Sequence, residues 1–217
     1  LNEGQKLAVT NDDDNLLVLA GAGSGKTRVL VYRIAWLIQE KYIFPHQILA
    51  VTFTNKASQE MRSRVEGLLK NGMKGGIWIG TFHSICHRIM RQHHQLFDLP
   101  QQFQIMDQDD QMKCLKKIHK ELGLIESRWP VKKTMHFIGK AKEKMLRADQ
   151  IAMDGNPYTE TMVSVYKVYE KRCRLSALVD FNELMLAVYE KFQQQPEFLR
   201  EYQQRFKHIL VDEFQDT

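Results

Sequence analysis

Hydrophobic positions change period partway along this chain. In roughly the first third, short unbroken apolar runs alternate with stretches in which apolar residues recur every three or four positions. The runs Leu16–Ala20, Ile48–Phe53 and Ile77–Gly80 predict buried strands, because a strand covered on both faces has no polar side to show. Between them, the apolar-rich stretch Val29 to Ile38 predicts a helix over Gly25–Glu40, and Ala57, Met61, Val65 and Leu68 predict one over Lys56–Leu69. Such alternation predicts a parallel α/β sheet with right-handed crossovers. After Phe82 the pattern is helical throughout. His83–His94 reads as one helix, and Asp107 with Asp110 caps a second that runs to Leu122. Pro130 and Pro157 open two more, and Asp180 with Glu183 caps one ending near Gln193. Pro196 opens a short last helix before the apolar run Ile209-Leu210-Val211. The expected organisation is an α/β domain over residues 1–82, an all-helical insertion over 83–205, and a return strand within 206–217.

At 217 residues, with 43% hydrophobic and 26% charged side chains, the chain has the composition of a globular domain or two. No apolar run is long enough to span a membrane and no signal peptide opens the chain, so a cytoplasmic protein is expected. Cys86, Cys114 and Cys173 are far apart and odd in number, and read as reduced thiols used mostly in packing. The net charge of +5 is mild but unevenly spread: eleven Lys and Arg against three Glu lie between Lys113 and Arg147. A block of that kind fits either a polyanion partner or a solvated helical face.

Two short stretches carry the chemistry. Ala20-Gly21-Ala22-Gly23-Ser24-Gly25-Lys26-Thr27 sits between a predicted strand and a predicted helix. Glycines let backbone N–H groups converge on phosphate oxygens, and the helix that follows points its positive end at the same anion. In such a nucleotide triphosphate cradle Lys26 reaches the β- and γ-phosphates and the Thr27 hydroxyl ligates magnesium. Ala20 stands where a first glycine is usual, a place that accepts a methyl if its φ is negative. At the other end, Ile209-Leu210-Val211-Asp212-Glu213 delivers two carboxylates at the end of a strand. Asp212 suits the magnesium, and Glu213, one residue on and facing elsewhere, suits a general base on the attacking water.

In order and spacing these stretches, with several others, resemble the amino-terminal portion of superfamily 1 DNA helicases of the UvrD/Rep/PcrA type. Leu1-Asn2 with Gln5 and Ala8-Val9 resembles the Q motif, and Ala20–Thr27 motif I. Ala50-Val51-Thr52-Phe53-Thr54-Asn55-Lys56-Ala57 with Glu60-Met61-Arg62 resembles motif Ia, and Gly80-Thr81-Phe82-His83-Ser84 motif Ib. Val179-Asp180-Phe181-Asn182-Glu183-Leu184 resembles an element bordering the inserted subdomain, and Val211-Asp212-Glu213-Phe214-Gln215-Asp216-Thr217 resembles motif II.

The resemblance implies a RecA-like P-loop NTPase sheet carrying a helical subdomain, with residues 1–82 and 206–217 as domain 1A and 83–205 as 1B. It implies ATP and Mg2+ as cofactors, held by Gln5 on the adenine edge and by Ala20, Gly21, Ala22, Gly23, Ser24, Gly25, Lys26, Thr27 and Arg28, with Thr27 and Asp212 on the metal. Lys26, Glu213 and Gln215 are the implied catalytic residues, Gln215 sensing the γ-phosphate or its water. Phe53, Thr54, Asn55, Thr81, Phe82 and His83 are the implied DNA contacts. By residue type, Phe53 also suits a core position and His83 a cap. The implied activity is ATP-driven 3′–5′ translocation on single-stranded DNA and unwinding at single/double-strand junctions. The parent is expected to be a monomer or dimer with repair-protein partners. A helicase–nuclease subunit, a protein-displacing translocase and a non-catalytic DNA-binding module are alternatives. The resemblance also implies a piece of a longer helicase that binds ATP weakly by itself and unwinds nothing.

Overall fold

A computed structural model describes residues 1–13, 15–21, 23–69 and 75–216. In chain order the elements are α1 Glu3–Thr10, α2 Lys26–Gln39, β1 Ile48–Val51, α3 Asn55–Leu68, β2 Trp78–Gly80, α4 Phe82–Gln92, β3 Gln104–Met106, α5 Gln108–Glu121, α6 Val131–Glu143, α7 Pro157–Leu175, β4 Leu178–Asp180, α8 Phe181–Gln194, α9 Pro196–Arg205 and β5 His208–Val211. The protein is mixed α/β, mostly helical, with short parallel sheets. No helix among the described residues is long and apolar enough to cross a membrane. The chain divides into two compact units, residues 1–85 with 196–217, and residues 86–195. The second break falls ten residues before the one expected, so α9 belongs with the sheet and not with the insertion.

In the first unit the strand order is β2-β1-β5, all parallel. The central strand β1 is apolar throughout, and Ile48, Ala50 and Val51 are buried. Register pairs Val51 with both Gly80 and Val211, so the three strands end together. Two backbone bonds lace the loops beyond them: Thr52 N–H donates to Gly80 C=O at 3.0 Å, and Asp212 N–H to Val51 C=O at 2.9 Å. Ile34, Ile38, Met61 and Val65, from α2 and α3, share one buried cluster with Ile48, Ala50, Ile79 and Leu210 from the three strands. Trp78 alternates away from its neighbours Ile77 and Ile79 and meets Tyr202 and Phe206 edge-on, with ring centroids at 6.1 and 5.2 Å. This is why α9 is part of the unit: edge-to-face pairs of this kind add about 0.5–1.5 kcal/mol each beyond buried area.

The expected strand Leu16–Ala20 does not form. Those residues lie outside any ladder, and Leu17 and Leu19 are 69% and 85% exposed. A strand needs a neighbour to take its N–H and C=O groups. Among the described residues β5 pairs with β1 alone, and Ile209 on it is 62% exposed. The apolar run therefore has its composition but no partner.

The second unit is not all-helical as expected: β3 and β4 form a two-stranded parallel sheet pairing Gln104 with Leu178 and Met106 with Asp180. Three-residue strands are too short to show a period. Each leads straight into a capped helix, Asp107 accepting from Asp110 N–H and Asp180 from Glu183 N–H, both at 2.8 Å. Leu115, Ile118, Ile138, Val165, Tyr166 and Tyr169 form the core. Inside it lies a closed ionic network. Lys142 Nζ donates to Asp180 Oδ2 and Glu183 Oε2, both at 2.6 Å. Arg147 bridges Glu183 at 2.7 Å and Glu190 at 2.6 Å, and reaches Glu170 at 3.3 Å. Burial alone pulls the Lys142 ammonium down, yet Glu183 and Asp180 hold it above its ordinary value. Two of the eleven cations in the basic block are thus interior structural groups.

Candidate nucleotide and nucleic-acid site

The site begins where α2 begins. Gly25, at φ 85°, is the N-cap of α2 in the left-handed region. That φ strains any residue but glycine, and a Cβ there would also crowd Gln5 Nε2 at 3.1 Å. The loop closes on itself: Ser24 Oγ donates to Gly21 C=O at 2.6 Å, and Lys26 Nζ donates to Ala20 C=O at 3.2 Å and Gly21 C=O at 3.4 Å. The lysine ammonium therefore lies across the loop. Ala22 lies outside the described residues. Arg28, next on α2, stacks over Tyr32 at 5.5 Å from the ring centroid.

Parallel register then brings in the far end of the chain. Thr27 Oγ1 donates to Asp212 Oδ2 at 3.0 Å, across 185 positions of sequence. Asp212 is buried and its backbone is pinned to β1, so the carboxylate cannot wander. A hydroxyl and a carboxylate at this spacing are hard oxygen donors of the kind magnesium accepts. That cation usually keeps several waters and takes phosphate oxygens for the rest, so two protein ligands fit it. Among the described residues no group of three or more His, Cys, Asp and Glu gathers for a metal. Glu213 follows in the left-handed region at φ 50°, a conformation that costs a non-glycine residue roughly 1 kcal/mol or more and recurs where function demands it. Gln215 Nε2 donates to Glu213 Oε2, so the two implied catalytic side chains touch.

Gln5 is tied more tightly than its expected role requires. Its side chain accepts from Asn2 N–H at 3.1 Å in a capping box and donates to Ser24 C=O at 2.9 Å. One amide hydrogen is left for a base, and the residue also clasps α1 to the phosphate loop. Sequence reasoning missed Arg33. Its guanidinium donates to the carbonyls of Ala8, Val9 and Asn11 at 3.2, 3.0 and 2.9 Å, closing the C-terminal end of α1. The signal was present: Arg33 is the lone cation inside the apolar run Val29–Ile38.

The implied DNA contacts gather at the same sheet edge. Thr54 caps α3, accepting from Ala57 N–H at 3.1 Å, and Thr81 accepts from Ser84 N–H at 3.2 Å at the start of α4. Asn55 Oδ1 accepts from Thr81 Oγ1 at 3.5 Å, bridging the two loops. Phe53 is 66% exposed and is not a core residue; Phe82 is partly exposed. His83 is half-buried, and burial lowers its pKa, favouring the neutral ring. A methyl at Gly80 would lie 2.3 Å from Ser84 Oγ, so a larger residue there requires the Ser84 side chain to move.

Comparison with known proteins agrees with this geometry. Residues 1–217 match the family described as UvrD/REP helicase N-terminal domain. The chain is 49% identical over 217 residues to DNA helicase II of Escherichia coli (strain K12), covering all of this chain and 30% of that protein. It is 41% identical over 218 residues to the ATP-dependent DNA helicase PcrA of Bacillus subtilis (strain 168), covering 29% of it. It is 38% identical over 222 residues to the ATP-dependent DNA helicase UvrD1 of Mycobacterium leprae (strain TN), covering 28%. The chain thus spans under a third of the length of these curated relatives. Matched over its whole length, the chain belongs to the UvrD/REP helicase N-terminal domain family.

Proposed function

We propose that this chain supplies the ATP-binding half-site and part of the DNA grip of an ATP-driven 3′–5′ DNA helicase. The observation that carries the reading is the 3.0 Å bond between Thr27 and Asp212, which joins the phosphate loop to the Asp-Glu strand. In this reading the sheet is RecA-like, and Leu16–Ala20 joins it when a further strand of the longer protein lies beside β5. The cofactors are ATP and Mg2+, and the cation offsets charge on the transferring phosphoryl group. Residues 21–25 cradle the phosphates with backbone N–H groups, and Lys26 leaves the loop carbonyls for the β- and γ-oxygens. Thr27 and Asp212 hold the metal. Glu213 takes a proton from the attacking water, and Gln215, already bonded to Glu213, orients that water and reports on the γ-phosphate. Gln5 reads the adenine edge, and Arg28 lies beside the nucleotide.

On the DNA side, Phe53 offers a face for a base to stack on. Asn55, Thr81 and His83 offer polar contacts to phosphate. Since β1 and β2 carry these loops and β1 also pins Asp212, nucleotide state and DNA grip share one strand edge. In the second unit, Lys132, Lys133, His136, Lys140 and Lys144 rim a groove of about 720 Å³ floored by Phe137, Ala141, Leu146 and Ile151. Beside it Trp129 stacks on Tyr158 at 5.7 Å, with Arg128 over Trp129. Cations around an apolar, aromatic floor support the polyanion reading of the basic block over the solvated-face one.

The test is ATP turnover, with and without single-stranded DNA, in the longer protein that carries this chain. Glu213→Gln keeps size and removes the base; a fall in turnover of about 100-fold or more, with nucleotide still bound, is expected for a general base. Undiminished turnover would overturn the assignment. Loss of turnover together with DNA binding that persists unchanged and ignores nucleotide would favour a DNA-binding module over a motor.

A further inference from the structure

Arg33 lies on the same helix as Lys26, yet its guanidinium turns to α1. Its Nη1 donates to the carbonyls of Ala8 and Val9 in the last turn of α1, and to that of Asn11, the C-cap. We propose that Arg33 is a positioning residue for nucleobase selection: it fixes the helix that carries Gln5, so that the Gln5 amide meets adenine in one orientation. The inference rests on the adenine reading of Gln5 given above and names the residue that holds the reader in place.

The helix α1 cannot hold itself. It has eight residues, too few for a stable helix on its own. Val9 is its buried residue, while Leu7 is 69% exposed. Its last turn carries no basic residue, so nothing local meets the orphan carbonyls or the negative end of the dipole. Arg33 supplies both from another element. At the other end, Gln5 accepts from Asn2 N–H at 3.1 Å and donates to Ser24 C=O at 2.9 Å. The two clasps are about 6 Å apart along α1. With the first alone the helix can swing about the Gln5–Ser24 bond; with both, its axis is set.

Both clasps lead to α2. Ser24 directly precedes the N-cap Gly25, Lys26 opens the helix, and Arg33 follows about 10 Å further along the axis. One rigid helix therefore sets the base reader against the phosphate lysine. The surroundings keep Arg33 on the carbonyls. Asp12, the acidic group acting on it, is bonded to Lys41 at 2.7 Å. Partial burial lowers the Arg33 pKa and Asp12 offsets part of that, and a guanidinium stays charged throughout. On the β5 side, His208 is lowered by its own burial and then by Arg33, which favours a neutral ring there. Trp36 lies under the guanidinium at 6.0 Å from the ring centroid. A cap that served stability alone would, when lost, weaken every nucleotide alike. A positioning residue changes their ranking.

The test measures KM and kcat for ATP and for UTP, whose base lacks the N7–N6 edge, in the longer protein that carries this chain. Arg33→Met keeps the stem and removes the donors. The preference for ATP over UTP is expected to fall about tenfold, the equivalent of one hydrogen bond, through KM for ATP and not through kcat. Gln5→Ala should lose the same preference, and the double variant should lose no more than Gln5→Ala alone, because Arg33 acts through Gln5. If Gln5→Ala loses the preference and Arg33→Met keeps it, this inference fails and the adenine reading stands. If Arg33→Met weakens ATP and UTP in step, Arg33 is a structural cap and the inference also fails. A parent without the preference, or one that keeps it in Gln5→Ala, overturns the adenine reading and this inference with it. Should Arg33→Met fail to fold, Arg33→Gln, with a shorter neutral side chain, takes its place under the same criteria.

Discussion

Lys26 and Lys142 sit on helices of nearly equal length and have opposite surroundings. Lys26 opens α2 at the ends of parallel strands, partly exposed, its ammonium resting on two loop carbonyls. Lys142 is near the end of α6, its side chain 2% exposed, closed between Asp180 and Glu183. The first can exchange weak backbone partners for a phosphate. The second cannot leave without stranding two buried carboxylates. Residue type is the same; burial and partners decide which lysine is available to a ligand and which is committed to the fold. Asp212 and Asp180 divide the same way, one beside a single hydroxyl and the other holding a lysine, a tyrosine and a helix cap.

The comparison breaks most sharply at Lys142. Lys142→Met keeps the bulk and removes the cation, and is expected to destabilise the chain by about 3–5 kcal/mol, the usual cost of leaving a buried partner unpaired. Chemical denaturation reads it directly, and a loss under about 1 kcal/mol would mean the network is solvated and interchangeable.

Acid should act on the same unit. Burial alone would raise the Glu183 carboxyl, but Lys142 and Arg147 outweigh it and hold the group below the usual carboxylate range. A depressed carboxylate lends stability that is fully present above its unfolded pKa, near about 4.3, and is lost as pH falls through the lower folded value. Amides within 86–195 should therefore lose hydrogen-exchange protection on acidification below about pH 4, earlier in Lys142→Met than in the unaltered chain. Protection that rises toward acid would reverse the sign of this account.

The smallest stability effect belongs to Lys26. Lys26→Ala removes two bonds to exposed carbonyls and should change stability by less than about 0.5 kcal/mol. In the same variant, nucleotide affinity of the longer protein should fall at least tenfold. A large destabilisation would make Lys26 a structural residue like Lys142.

These contrasts also mark how far the sequence could be read. The glycine turn into α2, the Asp-Glu strand and the caps at Asp107 and Asp180 were legible because each needs particular residue types at fixed short spacings. Leu16–Ala20 was misread because a strand is a property of two segments, and only one was in view. The pairing of β3 with β4 was invisible because three residues show no period. Lys142 and Arg147 were counted with the basic block because a run of charges says nothing of burial. Yet Lys142 falls in register with Val131, Thr134, Ile138 and Ala141, the buried face of α6, and that spacing was a usable sign. The bond between Thr27 and Asp212 follows from strand register, which sequence alone does not supply.

The central claim is that Thr27 and Asp212 meet around a metal-bound nucleotide, and magnesium dependence of ATP binding tests it most directly. In the longer protein, ATP affinity measured by titration with and without Mg2+ should improve at least tenfold with the cation. In Asp212→Asn that gain should vanish while metal-free affinity changes little. If Asp212→Asn retained the full magnesium effect, the carboxylate would not be a metal ligand and the account would be wrong.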